Sequence, residues 1–343
     1  MDNPKSFTAL DLKTRVACLI SYAAVFNDVI SIKELSERLS EDQVRVMDII
    51  KVLEIEEKVI VRKGFVGLIH LDDKIDLKAG DFQRAQKLIR QKKKRLKRLG
   101  KLPFIKFLAI SGSLAAGNPV ELKGEHLDVD VFVVTRRNCI WLVGIFMAFY
   151  TFFNKHKWGA YCFNHIWDES DLKVYNPNIY TATDIYNMVP IYGKGFYQKF
   201  LAVNPWVLNF YPSLKKTTGG YVTSKIVINW NKFFYLLFTL GRCFKNLSWH
   251  PLSELNFKMN PNRALNWNRR GAEHGGYHVL AMKRFKETCS RAFPDIYSDK
   301  LLEVVFSDDL SRLILDKNCD VKSIIPEAYL EDTLENYTKY ESA

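Results

Sequence analysis

The stretch of sequence that decides the fold is residues 105–134, IKFLAISGSLAAGNPVELKGEHLDVDVFVV. It opens with the apolar run Ile105–Ile110, which predicts a buried strand. The run ends in a small-residue turn, Ser111–Ser113, and a polar loop follows. A second apolar run then carries two carboxylates, Asp128 and Asp130, one residue apart. The stretch therefore predicts two strands joined by a tight turn and a loop.

The two carboxylates indicate a metal site. Residues i and i+2 of a strand point to the same face, so Asp128 and Asp130 project together. The residues predicted to face the other way are Val129, Val131 and Val133. Mg²⁺ prefers one or two carboxylates together with substrate phosphates, and the N–H groups and hydroxyl of Gly112-Ser113 suit phosphates. The alternative is a phosphate-free turn followed by a surface strand, but both carboxylates lie inside an apolar run.

This pattern resembles the nucleotidyltransferase superfamily, which has the DNA polymerase β-like fold. Its signature is an apolar strand, Gly-Ser, a spacer and Asp-apolar-Asp; Gly112-Ser113 and Asp128–Val131 match it, with a slightly longer spacer. The resemblance implies an α+β fold whose mixed-sheet core is flanked by helices. It also implies an NTP substrate with phosphates at Gly112 and Ser113, and Mg²⁺ or Mn²⁺ held by Asp128 and Asp130.

The third carboxylate of the superfamily is the point at which the chain departs from the pattern. A comparable strand, residues 160–167, carries Asn164, which can bind substrate by hydrogen bonds but cannot act as a base. Strict alternation would put Cys162, Asn164, Ile166 and Asp168 on one face. Asp168 is therefore the candidate third catalytic residue, although it lies about 13 Å along the strand from Asn164.

A narrower resemblance covers roughly residues 10–212. Certain bacterial proteins that carry a nucleotidyltransferase domain combine it with a winged-helix-like N-terminus. The matching motifs are Cys162-Phe163-Asn164, Tyr180-Thr181-Ala182, Met188–Gly193 and Asn204-Pro205-Trp206. The resemblance implies no particular substrate. Asp184 is a spare candidate carboxylate within this segment, and helix capping is its alternative role.

The predicted winged-helix-like domain comprises residues 1–75. A helix is predicted for Leu12–Phe26, followed by two more that Ser31 and Ser40 would cap, and then by strands 59–61 and 65–69 around a glycine turn. Such a domain can bind DNA through its second and third helices. The third helix is mixed in charge and ends acidic, which favours a packing module over a DNA reader.

A connecting helix is predicted for residues 76–101, with a segment dense in Lys and Arg at 84–101. Gly100 and Pro103 mark its end. One interpretation is a solvated helix face; the other is an electrostatic platform for RNA or DNA. A nucleotidyltransferase core at 102–215 and a mainly helical region at 216–343 complete the predicted domains.

The bulk composition is that of a globular chain. The 343 residues have a formal net charge of +12, which favours an anionic partner or serves solubility. Six scattered cysteines without a CxxC pair argue against a zinc site and fit a reducing compartment. The longest uncharged run, 138–154, predicts a buried helix rather than a membrane span. With no signal peptide visible, a cytoplasmic location is expected.

Two functions follow from these observations. The first is metal-dependent transfer of an NMP from an NTP to an unidentified hydroxyl acceptor. The second is a nucleotide-binding protein without turnover that acts as an interaction module. The Asp-Val-Asp pair favours the enzyme, and Asn164 favours the binding protein.

Overall fold

A computed structural model describes residues 6–119, 129–140, 142–147, 149–150, 161–174, 177–214, 269–271 and 275–306. The side chains of Asn164, 269–271 and 275–280 are outside this description. The described chain is α+β, with helices arranged around a mixed sheet, which confirms the predicted class. Within it, no helix is both long enough and apolar enough to cross a bilayer.

The N-terminal unit contains three helices and a small antiparallel sheet in the predicted order. The helices are α1 (Leu12–Val25), α2 (Ile32–Leu39) and α3 (Gln43–Ile55). The strands are β1 (Ile30–Ser31), β2 (Val59–Arg62) and β3 (Phe65–Leu68), arranged β1-β3-β2. Two short 3₁₀ turns, Phe7–Ala9 and Ile69–Leu71, flank the unit.

The predicted capping residue is correct for α2 and wrong for α3. Ser31 caps α2 as predicted, because its side chain accepts the N–H of Glu34 at 3.0 Å. The predicted Ser40 cap of α3 is wrong. Ser40 has φ 52° and ends α2, whereas the side chain of Asp42 caps α3 by accepting the N–H of Val44 at 2.8 Å.

The connecting helix, α4 (Asp72–Gly100), is 29 residues long and starts before the predicted boundary at 75/76. Its first half is tied to the N-terminal unit by the ion pair of Lys78 with Asp28, at 2.6 Å. Its second half packs on the central sheet through four buried residues, Ala85, Ile89, Leu96 and Leu99. The helix ends at Gly100 as predicted, where Tyr192 packs closely against the glycine.

The central sheet has five strands in the order β7-β4-β5-β6-β8. They are β4 (Ile105–Ile110), β5 (Val129–Thr135), β6 (Tyr161–Asp168), β7 (Val189–Tyr192) and β8 (Arg269–Gly271). β5 and β6 are parallel, and the other neighbours are antiparallel. β8 comes from the region predicted as mainly helical, so that region contributes an edge strand to the core.

Helices surround this sheet. α5 (Gly112–Ala115) follows β4, and the described residues of 140–150 form α6, where a buried helix was predicted. The others are α7 (Ile179–Asn187), α8 (Lys194–Val203), α9 (Val207–Phe210), α10 (Gly275–Ala292) and α11 (Asp299–Val305). The aromatic-rich segment 222–244 and most of the basic segment before α10 lie outside the described residues.

Each face of the sheet belongs to a different hydrophobic cluster. α4 and α6 cover the face that carries Val129, Val131 and Val133. The opposite face carries Phe107 and Phe132, and the latter packs on Phe200 of α8 with ring centroids 5.6 Å apart. That second cluster continues into α1 and α10. The N-terminal unit, the sheet and the C-terminal helices therefore share one core.

Candidate functional site

The pairing of β4 with β5 places the glycine turn beside one of the predicted carboxylates. The strands are antiparallel, with Ile110 opposite Val131. One more backbone hydrogen bond continues this pairing beyond the end of β4: the N–H of Ser111 donates to the carbonyl of Asp130 at 3.0 Å. The turn that follows Ser111 therefore lies directly against Asp130.

Gly112 occupies a position that only glycine fits. Its φ is +66°, a left-handed conformation that side chains disfavour. A Cβ at this position would overlap Oδ2 of Asp130 and come within 2.9 Å of its Cγ. The absent Cβ thus leaves room for the carboxylate to approach the backbone. The turn opens α5, whose first N–H groups have no intrahelical acceptor.

The two faces of β5 are divided as the sequence predicts. Val129, Val131 and Val133 are buried in the cluster under α4. Asp130 is partly buried and belongs to the other face, which carries Phe132 further along the strand. Gly112, Ser113 and Asp130 therefore come together, as expected. Asp128 lies outside the described residues.

The prediction that strict alternation continues along β6 is wrong. Asp130 pairs with Cys162, but Phe132 pairs with His165, so β6 holds an extra residue between these positions. Such a bulge inverts the alternation beyond it. Ile166 consequently lies beside Val133 on the α4 face, away from Cys162. Asn164 falls in the bulge.

Asp168 lies at the far end of the sheet from the glycine turn. It pairs with Thr135, five residues along β5 from Asp130, or about 16 Å. It is fully buried and accepts hydrogen bonds from the N–H of Asn138, at 2.6 Å, and from the N–H and hydroxyl of Ser170, at 3.0 and 2.6 Å. Burial raises the pKa of Asp168, and these bonds oppose the rise. The structure therefore gives Asp168 a role in fixing the loops after β5 and β6.

Asp184 also differs from its sequence interpretation. α7 is capped by Asn178, whose side chain accepts the N–H of Thr181 at 3.0 Å in a capping box. Asp184 lies inside the helix, and burial raises its pKa to about 7. It faces Tyr22 of α1, where its charge helps to raise the pKa of that phenol. Asp184 is thus part of the contact between α7 and the N-terminal unit.

Cys162 is the residue that sequence reasoning missed. It stands beside Asp130 on the neighbouring parallel strand, where the predicted site needs a third polar group. Its thiol is reduced and partly buried. Only the long-range register of β5 and β6 identifies it, because the sequence offers no signal for the bulge.

The metal site can be assessed from the donors that are described. Within those ranges, no group of three or more His, Cys, Asp or Glu side chains is arranged to hold a metal ion. Asp130 fits one carboxylate ligand of Mg²⁺, and Gly112 lets that carboxylate lie directly against the backbone of the turn. Comparison with protein-family models, with curated proteins and with solved structures gave no match.

Proposed function

We propose that this protein is a metal-dependent nucleotidyltransferase with a polymerase β-like core. The observation that carries the proposal is the close approach of Gly112 to the carboxylate of Asp130 at the end of a two-strand pair. The turn supplies N–H groups and a hydroxyl for phosphates, and the adjacent strand supplies a metal ligand. An NTP fits this site because it needs hydrogen-bond donors for its phosphates and a ligand for its metal ion, and the turn and the strand supply these side by side.

The proposed reaction moves an NMP from the NTP to a hydroxyl acceptor. The acceptor oxygen bonds to the α-phosphorus and loses its proton to water, the bond from that phosphorus to the bridging oxygen breaks, and pyrophosphate leaves. Gly112 and Ser113 hold the β- and γ-phosphates, and Asp128 and Asp130 bind Mg²⁺ or Mn²⁺, which neutralises phosphate charge when bound. Positioning and charge neutralisation provide most of the rate. Asp168 has no part in this scheme, because its oxygens accept hydrogen bonds from the loops after β5 and β6.

We further propose that the N-terminal unit is a winged-helix module that packs on the core. The contact that supports this is Arg38 of α2, which is only 6% exposed. It donates to Glu34 at 2.6 Å and to Asn187 of α7 at 2.9 Å, and it lies 4.7 Å from the ring centre of Tyr186. Anchoring of α2 to the core in this way favours a packing role for the unit.

A second candidate function is nucleotide binding without turnover. It is favoured by Cys162, because a thiol and not a carboxylate stands beside Asp130, where a third carboxylate would help catalysis. Both functions need the same phosphate site, so they differ in product formation and not in binding.

The test compares the wild-type protein with the Asp128→Ala/Asp130→Ala double variant. Each is incubated with every α-labelled NTP, Mg²⁺ or Mn²⁺, and cell extract. Label transfer and pyrophosphate release are expected for the wild type and should be lost in the double variant. Asp48→Asn, which neutralises an exposed carboxylate of α3, is the matched control and should retain activity.

The outcomes separate the two candidates. If the wild type transfers no label under any condition, the enzyme is refuted. Calorimetry with a non-hydrolysable NTP then decides the second candidate: saturable binding that Asp130→Ala weakens would support it. No binding at all would exclude both functions.

A further inference from the structure

The second half of α4 carries a dense run of positive charge, much of which no carboxylate in the described ranges pairs with. Residues 84–101 contain ten Lys and Arg and no Asp or Glu. Seven of these cations form no ion pair with a described carboxylate; they are Lys87, Arg90, Lys93, Lys94, Lys97, Arg98 and Lys101. We call this set the α4 cation stripe.

The cations that precede the stripe in the chain are, by contrast, mostly paired. At least ten of the eleven Lys and Arg in residues 6–83 lie within 4.0 Å of a carboxylate. Examples are Lys13 with Glu56 at 2.7 Å and Lys63 with Asp76 at 2.7 Å. The α4 cation stripe is therefore a local concentration of charge that an anionic partner would neutralise.

The stripe is straight and has a defined length. Lys87, Arg90, Lys94, Arg98 and Lys101 follow one another at intervals of three or four residues, which places them on one helix face. At 1.5 Å per residue, the segment 84–101 spans roughly 25 Å. A single row of cations of this length can contact the phosphates of one nucleic-acid strand.

An exposed aromatic ring lies at one end of the stripe. Phe82 is 48% exposed and lines a surface depression of about 450 Å³ with Gln83, Gln86, Lys87, Arg90 and Gln91. The ring packs against Gly117, where an added Cβ would come within 2.8 Å of it. The surface of the depression is mainly apolar, which suits the stacking of an unpaired base, and the cations of the stripe lie beside it for the phosphate.

This end of α4 is the end near the candidate site. Gly117, which contacts Phe82, lies five residues after Gly112. Arg84 donates to the carbonyl of Pro119 at 3.1 Å. Further along α4, the ammonium of Lys92 lies 5.4 Å from the ring centre of Tyr161, which pairs with Val129. The basic helix therefore contacts both segments that flank Asp130.

The structure favours a nucleic-acid strand over a membrane surface. A helix that lies in a bilayer interface needs a free apolar face. The apolar face of this half of α4 is already buried against the sheet, through Ala85, Ile89, Leu96 and Leu99. The exposed face offers cations, glutamines and one aromatic ring instead.

We propose that α4 binds a single-stranded nucleic acid, with its phosphates on the cation stripe and a terminal base on Phe82. Resting on the proposed function, the terminal hydroxyl of this strand is the acceptor. Its oxygen bonds to the α-phosphorus of the NTP, its proton passes to water, and pyrophosphate leaves. The strand is extended by one nucleotide.

Strand binding is tested without any NTP, by fluorescence anisotropy with labelled RNA and DNA oligonucleotides in separate arms. The variant is Lys87→Gln/Arg90→Gln/Lys94→Gln. Its matched control is Lys33→Gln/Arg45→Gln/Lys51→Gln, which removes the same charge from exposed positions on α2 and α3.

Three lost phosphate contacts should reduce the salt slope by about 2 and the affinity roughly 100-fold at about 0.1 M salt. The control should bind like the wild type. Equal losses in both variants would show that net charge alone drives binding, and no loss in the α4 variant would show that the strand lies elsewhere. Either result overturns the proposal.

Phe82→Ala separates a nucleic acid from other polyanions. Affinity for an oligonucleotide should fall roughly tenfold, and affinity for an abasic strand should not change. If heparin or phosphatidylserine vesicles compete as well as the oligonucleotide, and Phe82→Ala has no effect, the nucleic-acid proposal is wrong.

Failure of this inference can be told apart from failure of the proposed function. Asp130→Asn should bind the strand normally and extend nothing. Strand binding by a wild type that transfers no label would refute the enzyme and keep the α4 platform. Label transfer by a protein that binds no strand would refute the platform alone.

Discussion

Replacing Gly112 by alanine tests the geometry of the candidate site without assuming any function. Alanine at φ +66° costs about 1–2 kcal/mol because its Cβ clashes with its own backbone. The overlap with the carboxylate of Asp130 adds about 1–3 kcal/mol of overpacking. We therefore expect Gly112→Ala to reduce the free energy of unfolding by roughly 2–5 kcal/mol.

Gly64 provides the matched control. It has φ +79°, and a Cβ there would meet nothing within 4 Å, so Gly64→Ala carries only the backbone cost. Urea unfolding followed by tryptophan fluorescence measures both variants. In an Asp130→Ala background the cost of Gly112→Ala should fall towards that of Gly64→Ala. If Gly112→Ala is no more destabilising than Gly64→Ala, the carboxylate does not lie against the turn.

Three further predictions concern the contacts around this core. Arg38→Leu should lower the free energy of unfolding by about 2 kcal/mol, because Glu34 and Asn187 of α7 lose a buried hydrogen-bond donor. In the same urea titration, Arg38→Lys should lose less stability than Arg38→Leu, because lysine keeps the positive charge. Asp184 has a folded pKa of about 7 against about 4 unfolded, so its stabilising contribution is complete below about pH 4 and is lost as the pH rises to about 7. Asp184→Asn should therefore stabilise the fold by up to about 4 kcal/mol at pH 8 but by only about 1 kcal/mol at pH 5, seen as a larger rise in Tm at pH 8, and an equal effect at both would contradict the burial argument. Asn204→Ala should cost roughly 3 kcal/mol in urea unfolding, since Asn204 is fully buried and bonds the N–H of Val174 at 2.7 Å and two carbonyls; a cost under about 1 kcal/mol would argue against this role.

Local sequence signals were sufficient for the elements that depend on local physics. The apolar run Ile105–Ile110 is a strand with those bounds, because a short uninterrupted apolar segment can be buried on both faces. The period-2 pattern of β5 correctly separated Asp130 from the three valines. Capping was less predictable. Ser40 and Asp42 are both good caps, and the choice depends on how α2 ends at Ser40 in a left-handed conformation.

The edge strands could not be predicted from local signals. β7 contains Pro190, and β8 consists of Arg269–Gly271, so neither has the apolar alternation of a strand. A proline is tolerated at an edge because one side of the strand has no ladder to complete. Long-range pairing with β4 and β6 makes these segments extended. The same kind of pairing, through the bulge in β6, makes Cys162 the neighbour of Asp130.

Gly112 indicates why the turn is more than a connection between strands. A turn that only reverses the chain could use a residue with a side chain and a relaxed backbone, and it would not need to contact a carboxylate. Here one residue, Gly112, has both a left-handed φ and a close contact with Asp130. Asp130 itself is a partly buried acidic residue within an apolar strand. Neither feature improves the packing of the hydrophobic clusters. Conformational strain at Gly112 reduces stability, so its coincidence with the carboxylate contact favours a site that binds a ligand.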